Sequence, residues 1–120
     1  MTRNRMLRAC AALLVAAPLA AAVHAHHGWS EYDASRPLTL IGVIKESGYE
    51  HPHGHVHLET RGKTWQVVLA PPSRMERRGL ARADLKAGTQ ATVMGYPNRD
   101  KPAEMRAERI TIGGKTVELR

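Results

Sequence analysis

The chain has 120 residues, with 18 Lys and Arg against 11 Asp and Glu, seven His, one Cys and no Phe. This length allows one small domain and excludes a multidomain enzyme. The apolar residues are unevenly spread, because residues 9–23 read ACAALLVAAPLAAAV without a charge and follow Arg3, Arg5 and Arg8.

Residues 1–25 are predicted to be a secretory signal peptide, because a basic start, a short apolar run and small residues are what the export machinery recognises. The run is too short for a membrane span. We favour cleavage after Val23-His24-Ala25, before His26; the alternative is cleavage before Val23. Cleavage before His26 removes three arginines and Cys10, which leaves 15 basic and 11 acidic residues and a net charge of +4.

The predicted product is a periplasmic or secreted domain with no transmembrane segment. Because it has no thiol, it cannot form a disulfide, a catalytic thiolate or a cysteine zinc site.

Residues 26–37 are predicted to be an extended lead-in that packs through Trp29 and Tyr32, and residues 38–120 a β domain. Alternation of apolar and polar residues predicts strands over 38–44, 55–60 and 65–69. Ser73 and Glu76 have the spacing of a capping box and Gly79 is a helix stop, so a short helix follows. Further strands are predicted over 89–96, 104–112 and 115–119.

This order predicts a mainly β fold: a small OB-type antiparallel barrel of five to six strands, with one short helix between strands three and four. An open antiparallel sheet or a small sandwich is the alternative, since a sequence does not show closure.

The seven histidines fall into two groups, 24–27 and 51–57. Side chains two apart in a strand share a face, roughly 6.6–7 Å apart, so His53, His55 and His57 are predicted to form a row opposite Val56 and Leu58. Neutral imidazole binds copper, zinc and nickel, and Cu(II) is highest in the affinity order. The alternative is a solvated face that binds no metal. Pro52 and Gly54 also favour a bulge that turns His51 and His53 away from the strand.

Cleavage before His26 would expose an α-amine that can chelate one ion together with the His26 imidazole. One further imidazole would complete a T-shaped set of three nitrogens, known as a histidine brace, which suits the tetragonal preference of Cu(II). Cleavage before Val23 would abolish this site.

Other chemistry has less support. The chain has no nucleophile elbow, zinc-protease motif, phosphate loop, EF-hand loop or dinucleotide fingerprint, so an enzyme is the less favoured interpretation. Export argues against a nucleic-acid partner. Four arginines have helical spacing and predict one basic face: Arg74, Arg77, Arg78 and Arg82. A solvated surface is the default interpretation of this face, and binding of an acidic periplasmic protein partner or an anionic lipid surface is the alternative.

Several motifs together resemble a bacterial family of small exported proteins of unknown function: His26-His27-Gly28-Trp29, His51-Pro52-His53 and Gly95-Tyr96-Pro97. The family is typified by His-His-Ser near the mature terminus and Asn-Pro-His after the first strand. The resemblance implies that His26, His27 and His53 occupy the motif positions and rank first as ligands. Gly28 and His51 depart from the pattern, and His51 is therefore an added candidate. The resemblance implies no established activity.

Two functions follow as expectations. The first is a periplasmic metal-binding protein, for copper with zinc or nickel as alternatives, that acts in storage, delivery or sequestration. Its primary ligands are His26, His27 and His53, and its supporting ligands are His51, His55 and His57. The second is a non-catalytic interaction module of the cell envelope.

Overall fold

The computed structural model describes residues 28–120. The predicted signal peptide and His24, His26 and His27 lie outside the described residues. The elements are β1 (Leu38–Gly48), β2 (His55–Thr60), β3 (Lys63–Val68), α1 (Pro72–Arg77), β4 (Gln90–Pro97), β5 (Glu104–Ile112) and β6 (Lys115–Glu118), with 3-10 turns at Trp29–Glu31 and Arg82–Leu85. No helix within residues 28–120 is long and apolar enough to cross a membrane.

Five strands close into a barrel. Antiparallel pairing runs through β3, β2, β1, β4 and β5, and a parallel pairing of β3 with β5 joins the two ends. β6 extends the sheet from β5 as an additional antiparallel strand. The predicted OB-like barrel is confirmed, including the single short α-helix between strands three and four, and the sheet is closed rather than open.

The core fills the barrel interior because the strands alternate as their sequences predict. Val56 and Leu58 of β2 are fully buried, and Met105 and Ala107 of β5 point into the same core. The side chains between them therefore lie on the outer wall of the barrel. That wall carries the polar groups described below.

Helix α1 begins two residues earlier than a capping box with Ser73 at the N-cap predicts. Pro72 occupies the first helical position, where a missing N–H costs nothing, and Ser73 makes no capping hydrogen bond. The prediction that Ser73 and Glu76 form a capping box is therefore wrong. The helix ends at Arg77, and Gly79 follows with a φ of +84°, a conformation that favours glycine.

Candidate functional site

The histidine-rich stretch lies on the surface that OB folds use for binding. In this fold, the outer face of strands two and three receives ligands between the β1–β2 and β4–β5 loops. Here the β1–β2 loop, residues 49–54, carries His51 and His53, while His55 and His57 lie on β2. The β4–β5 loop, residues 98–103, supplies the opposite border. We call this region the histidine face.

The β1–β2 loop is held at both ends. The Tyr49 hydroxyl donates to the Leu80 carbonyl at 2.6 Å, and the Gly54 N–H donates to the Ala70 carbonyl at 2.9 Å. The Gly54 carbonyl in turn accepts from the Leu69 N–H at 2.8 Å. These bonds fix His53, the residue before Gly54, beside the end of β3.

His53 contacts an arginine of the closing strand β5. Nη2 of Arg106 lies 3.2 Å from Nε2 of His53. A guanidinium can only donate, so Nε2 is the acceptor and His53 is neutral in this arrangement. Arg106 is 6% exposed, and its burial lowers the pKa of the guanidinium.

The lead-in covers the outer wall over β5. The Trp29 ring packs edge-on against Tyr96, with centroids 6.1 Å apart, and its face lies 4.4 Å from the Arg106 guanidinium. Arg120 lies 4.7 Å from the same ring. The Asp33 N–H donates to the Pro97 carbonyl at 2.9 Å. The described part of the lead-in is thus a 3-10 turn followed by a short pairing with β4, rather than an extended segment throughout.

A second buried polar group lies next to His53. The Tyr32 hydroxyl and Asn98 Nδ2 donate to the same oxygen of Glu104, at 3.0 and 2.8 Å. Burial first, and the Glu104 carboxylate second, raise the pKa of Tyr32 to about 12. Tyr32, His53, Glu104 and Arg106 line a cavity of about 170 Å³.

Glu104 and Arg106 are not predicted from the sequence as residues of this site. Polar residues at alternate positions of a strand ordinarily face water, and nothing within residues 104–112 indicates otherwise. The sequence did offer one signal for a buried polar site. Trp29 and Tyr32 are aromatic residues in a segment without periodicity, and such side chains are expected to pack on the barrel and bury the residues beneath them.

Of the three histidines predicted to form a row, His53, His55 and His57, only His55 and His57 lie side by side. The rings of His55 and His57 lie 5.6 Å apart and share the outer face of β2. His53 turns instead to Arg106, and His51 is exposed; this separation is the one that Pro52 and Gly54 predict. Among residues 28–120, no three His, Cys, Asp or Glu side chains are grouped so that they could hold a metal ion.

His55 and His57 each have another neighbour. A Cβ atom at Gly48 would overlap the His55 ring, so this imidazole packs directly over the Gly48 backbone. Nδ1 of His57 lies 3.5 Å from a carboxylate oxygen of Glu46. Each of these two histidines therefore has a protein neighbour on the sheet surface.

The four arginines do not form a single basic helix face. Arg74 and Arg78 donate to the carbonyls of Leu119 and Glu118, at 3.1 and 2.7 Å. Arg82 lies on the separate 3-10 turn and donates to the Tyr49 carbonyl at 3.2 Å. Only Arg77 of the four makes no side-chain hydrogen bond within the described residues. The prediction of one shared face is wrong, because α1 ends at Arg77 and three of the arginines tie other segments together.

The fold and its outer wall define a small OB-like barrel with a polar, histidine-bearing face. The chain belongs to a family of unknown function, DUF6152, whose family model matches residues 13–106. No curated protein matches the chain. The prediction from the motifs that the chain belongs to a family of unknown function is therefore confirmed.

Two structures of TiaS are among the solved structures that share the fold. The crystal structure of TiaS in complex with an isoleucine tRNA and ATP is 21% identical with a TM-score of 0.50, over 74% of this chain and 20% of that one. A ZRD-deleted mutant of TiaS in complex with agmatine gives the same identity and TM-score, over 73% of this chain and 25% of that one. The chain thus spans a quarter or less of these proteins, and at this identity the likeness shows the fold alone.

Proposed function

We propose that this protein is an exported metal-binding protein that takes Cu(II), with zinc or nickel as weaker alternatives, and acts in storage, delivery or sequestration. The primary ligands in this proposal are His26, with its α-amine after signal cleavage, His27 and His53. His51, His55 and His57 are supporting ligands. Nitrogen ligands in this number suit the tetragonal preference of Cu(II).

One observation carries the proposal: Arg106 contacts both the His53 imidazole and the Trp29 ring. Trp29 comes three residues after His26, and three residues span at most about 11 Å. This spacing supports the proposal that the two histidine motifs, far apart in sequence, contribute to one site.

The same arginine sets a condition on this site. An imidazole nitrogen that accepts a hydrogen bond from Arg106 has no lone pair left for a metal, and a guanidinium repels a cation nearby. Metal binding through Nε2 of His53 therefore requires that Arg106 release this nitrogen. In this proposal the metal and Arg106 compete for it.

The test compares four forms of the exported, untagged protein, namely the cleaved form, an N-terminally extended form, His53→Ala and His57→Ala, in competition with a chelator of known Cu(II) affinity. One residue added before His26 moves the α-amine out of the chelate ring, and we expect it to weaken binding at least tenfold, about 1.4 kcal/mol. His53→Ala should weaken binding more than the matched control His57→Ala. Equal affinities in the cleaved and extended forms would remove the amine from the site. If His53→Ala were also silent in that assay, the metal function would give way to the interaction module.

A further inference from the structure

A second cavity opens at the end of the barrel where β1 and β3 begin. It has a volume of about 450 Å³, within the range that small-molecule sites occupy. Its apolar lining comes from Leu38, Trp65, Pro97 and Pro102. The β4–β5 loop forms one wall, so the cavity borders the region through which OB folds bind ligands.

Three cations line this apolar cavity: Arg36, Lys63 and Arg99. Nζ of Lys63 lies 3.9 Å from the centroid of the Trp65 ring and donates to the Pro102 carbonyl at 2.6 Å. An ammonium has three donors, so two remain for a ligand. These two contacts thus hold the Lys63 ammonium over the face of the Trp65 ring.

The two arginines also retain free donors within residues 28–120. The Arg36 guanidinium makes no hydrogen bond there, and Arg99 uses only its Nε, toward the Ser30 carbonyl at 3.2 Å. One carboxylate, Asp100, lines the cavity. A second, Asp33, lies near both arginines and accepts two hydrogen bonds from Ser35. Positive charge therefore remains in excess around a cavity whose lining is polar in one part and apolar at Leu38, Trp65 and the two prolines.

We infer that this cavity binds a small organic anion with a flat apolar ring, such as an aromatic carboxylate or sulfonate. The ring would lie among Trp65 and the two prolines, and the anion would pair with Lys63 and Arg36. Charge-assisted hydrogen bonds of this kind are among the stronger ones available to a protein. No histidine of residues 28–120 lines this cavity, so the test of anion binding does not depend on whether the protein binds a metal.

The probe for this site is 8-anilinonaphthalene-1-sulfonate, titrated into the exported protein carrying Trp29→Phe, so that Trp65 is the only tryptophan of the domain. We expect saturable 1:1 binding with energy transfer from Trp65. The double variant Arg36→Gln/Lys63→Gln should weaken binding at least tenfold, whereas Arg61→Gln, a cation of the neighbouring β2–β3 turn that does not line the cavity, should leave it unchanged. Asp100→Asn should strengthen binding.

Two further measurements fix the ligand class. The uncharged analogue N-phenyl-1-naphthylamine should bind at least tenfold more weakly than the sulfonate, and naphthalene-1-sulfonate should displace the probe at concentrations where inorganic sulfate does not. Equal binding of the uncharged analogue, equal displacement by sulfate, or an unchanged affinity in the double variant would each overturn the inference. Circular dichroism of every variant checks that the probe reports on the folded barrel.

Discussion

Nη2 of Arg106 donates to Nε2 of His53 across a distance of 3.2 Å, and the same guanidinium lies against the Trp29 ring. One buried cation thus joins the β1–β2 loop, the closing strand and the lead-in. This contact also makes the copper proposal sharply testable, because it occupies the ring nitrogen that a metal would need.

Replacing Arg106 by methionine should strengthen Cu(II) binding at least tenfold if Nε2 of His53 is a ligand. The substitution keeps an apolar stem beside Trp29 but removes the competing donor and its charge. Arg109→Met is the matched control, since Arg109 lies on the same strand and pairs with Glu118 at 3.0 Å. Affinity measured by chelator competition should not change in that control. A weaker or unchanged affinity in Arg106→Met would mean that this nitrogen does not bind the metal.

Copper should dissociate as the pH falls toward about 5. A metal needs the neutral imidazole, whose ordinary pKa is about 6.5, so protons displace the ion below that value. Metal analysis of protein equilibrated between pH 8 and pH 4 measures the occupancy. Full occupancy at pH 4 would argue against ligands that are mainly histidine.

Tyr32→Phe should reduce the loss of stability at high pH. The pKa of Tyr32 is raised to about 12 in the folded protein, against about 10 in an unfolded chain. The contribution of protonated Tyr32 to the free energy of unfolding is therefore complete below pH 10 and is lost as the pH rises toward 12. The difference between the folded and unfolded pKa corresponds to about 2–3 kcal/mol. Urea unfolding at pH 9 and pH 11.5 compares the two proteins. The same loss in both would show that Tyr32 does not cause it.

Gly48→Ala should destabilise the barrel by about 0.5–1.5 kcal/mol, because the half-exposed His55 ring must turn out of its preferred rotamer to admit the new atom. The new Cβ would overlap the His55 ring, which lies across from Gly48 in the register of β1 and β2. In a His55→Ala background the same change should cost much less, and unfolding of the four proteins gives the coupling energy. An equal cost in both backgrounds would mean that His55 does not pack on Gly48.

The fold was predictable because its signals lie within single elements. Alternation around Val56 and Leu58 specifies one strand, and the run 104–112 specifies another with the observed bounds. Ser73 misled because a capping box is a short pattern, and Pro72 is already suited to the first helical position. The closed sheet was one of several arrangements compatible with that order of strands.

Only the part of the candidate site that lies within one segment of the chain was predictable from the sequence. His53 was identified from its motif, and its separation from His55 was expected from Pro52 and Gly54. Arg106 was not identified, because its burial depends on Trp29, which is distant in sequence. A contact between two segments that are distant in the chain, such as that of Trp29 with Arg106, cannot be recognised in the sequence of either segment alone.

The parallel pairing of β3 with β5 has a consequence for the order in which the chain folds. Hairpins such as β2–β3 and β5–β6 form from neighbouring residues, but the residues paired in 66–68 and 104–106 are separated in the chain by α1 and β4. Contacts so distant in sequence slow folding. We therefore expect this seam to close last, and a nascent chain that ends before β5 leaves one edge of β3 exposed for pairing with another molecule.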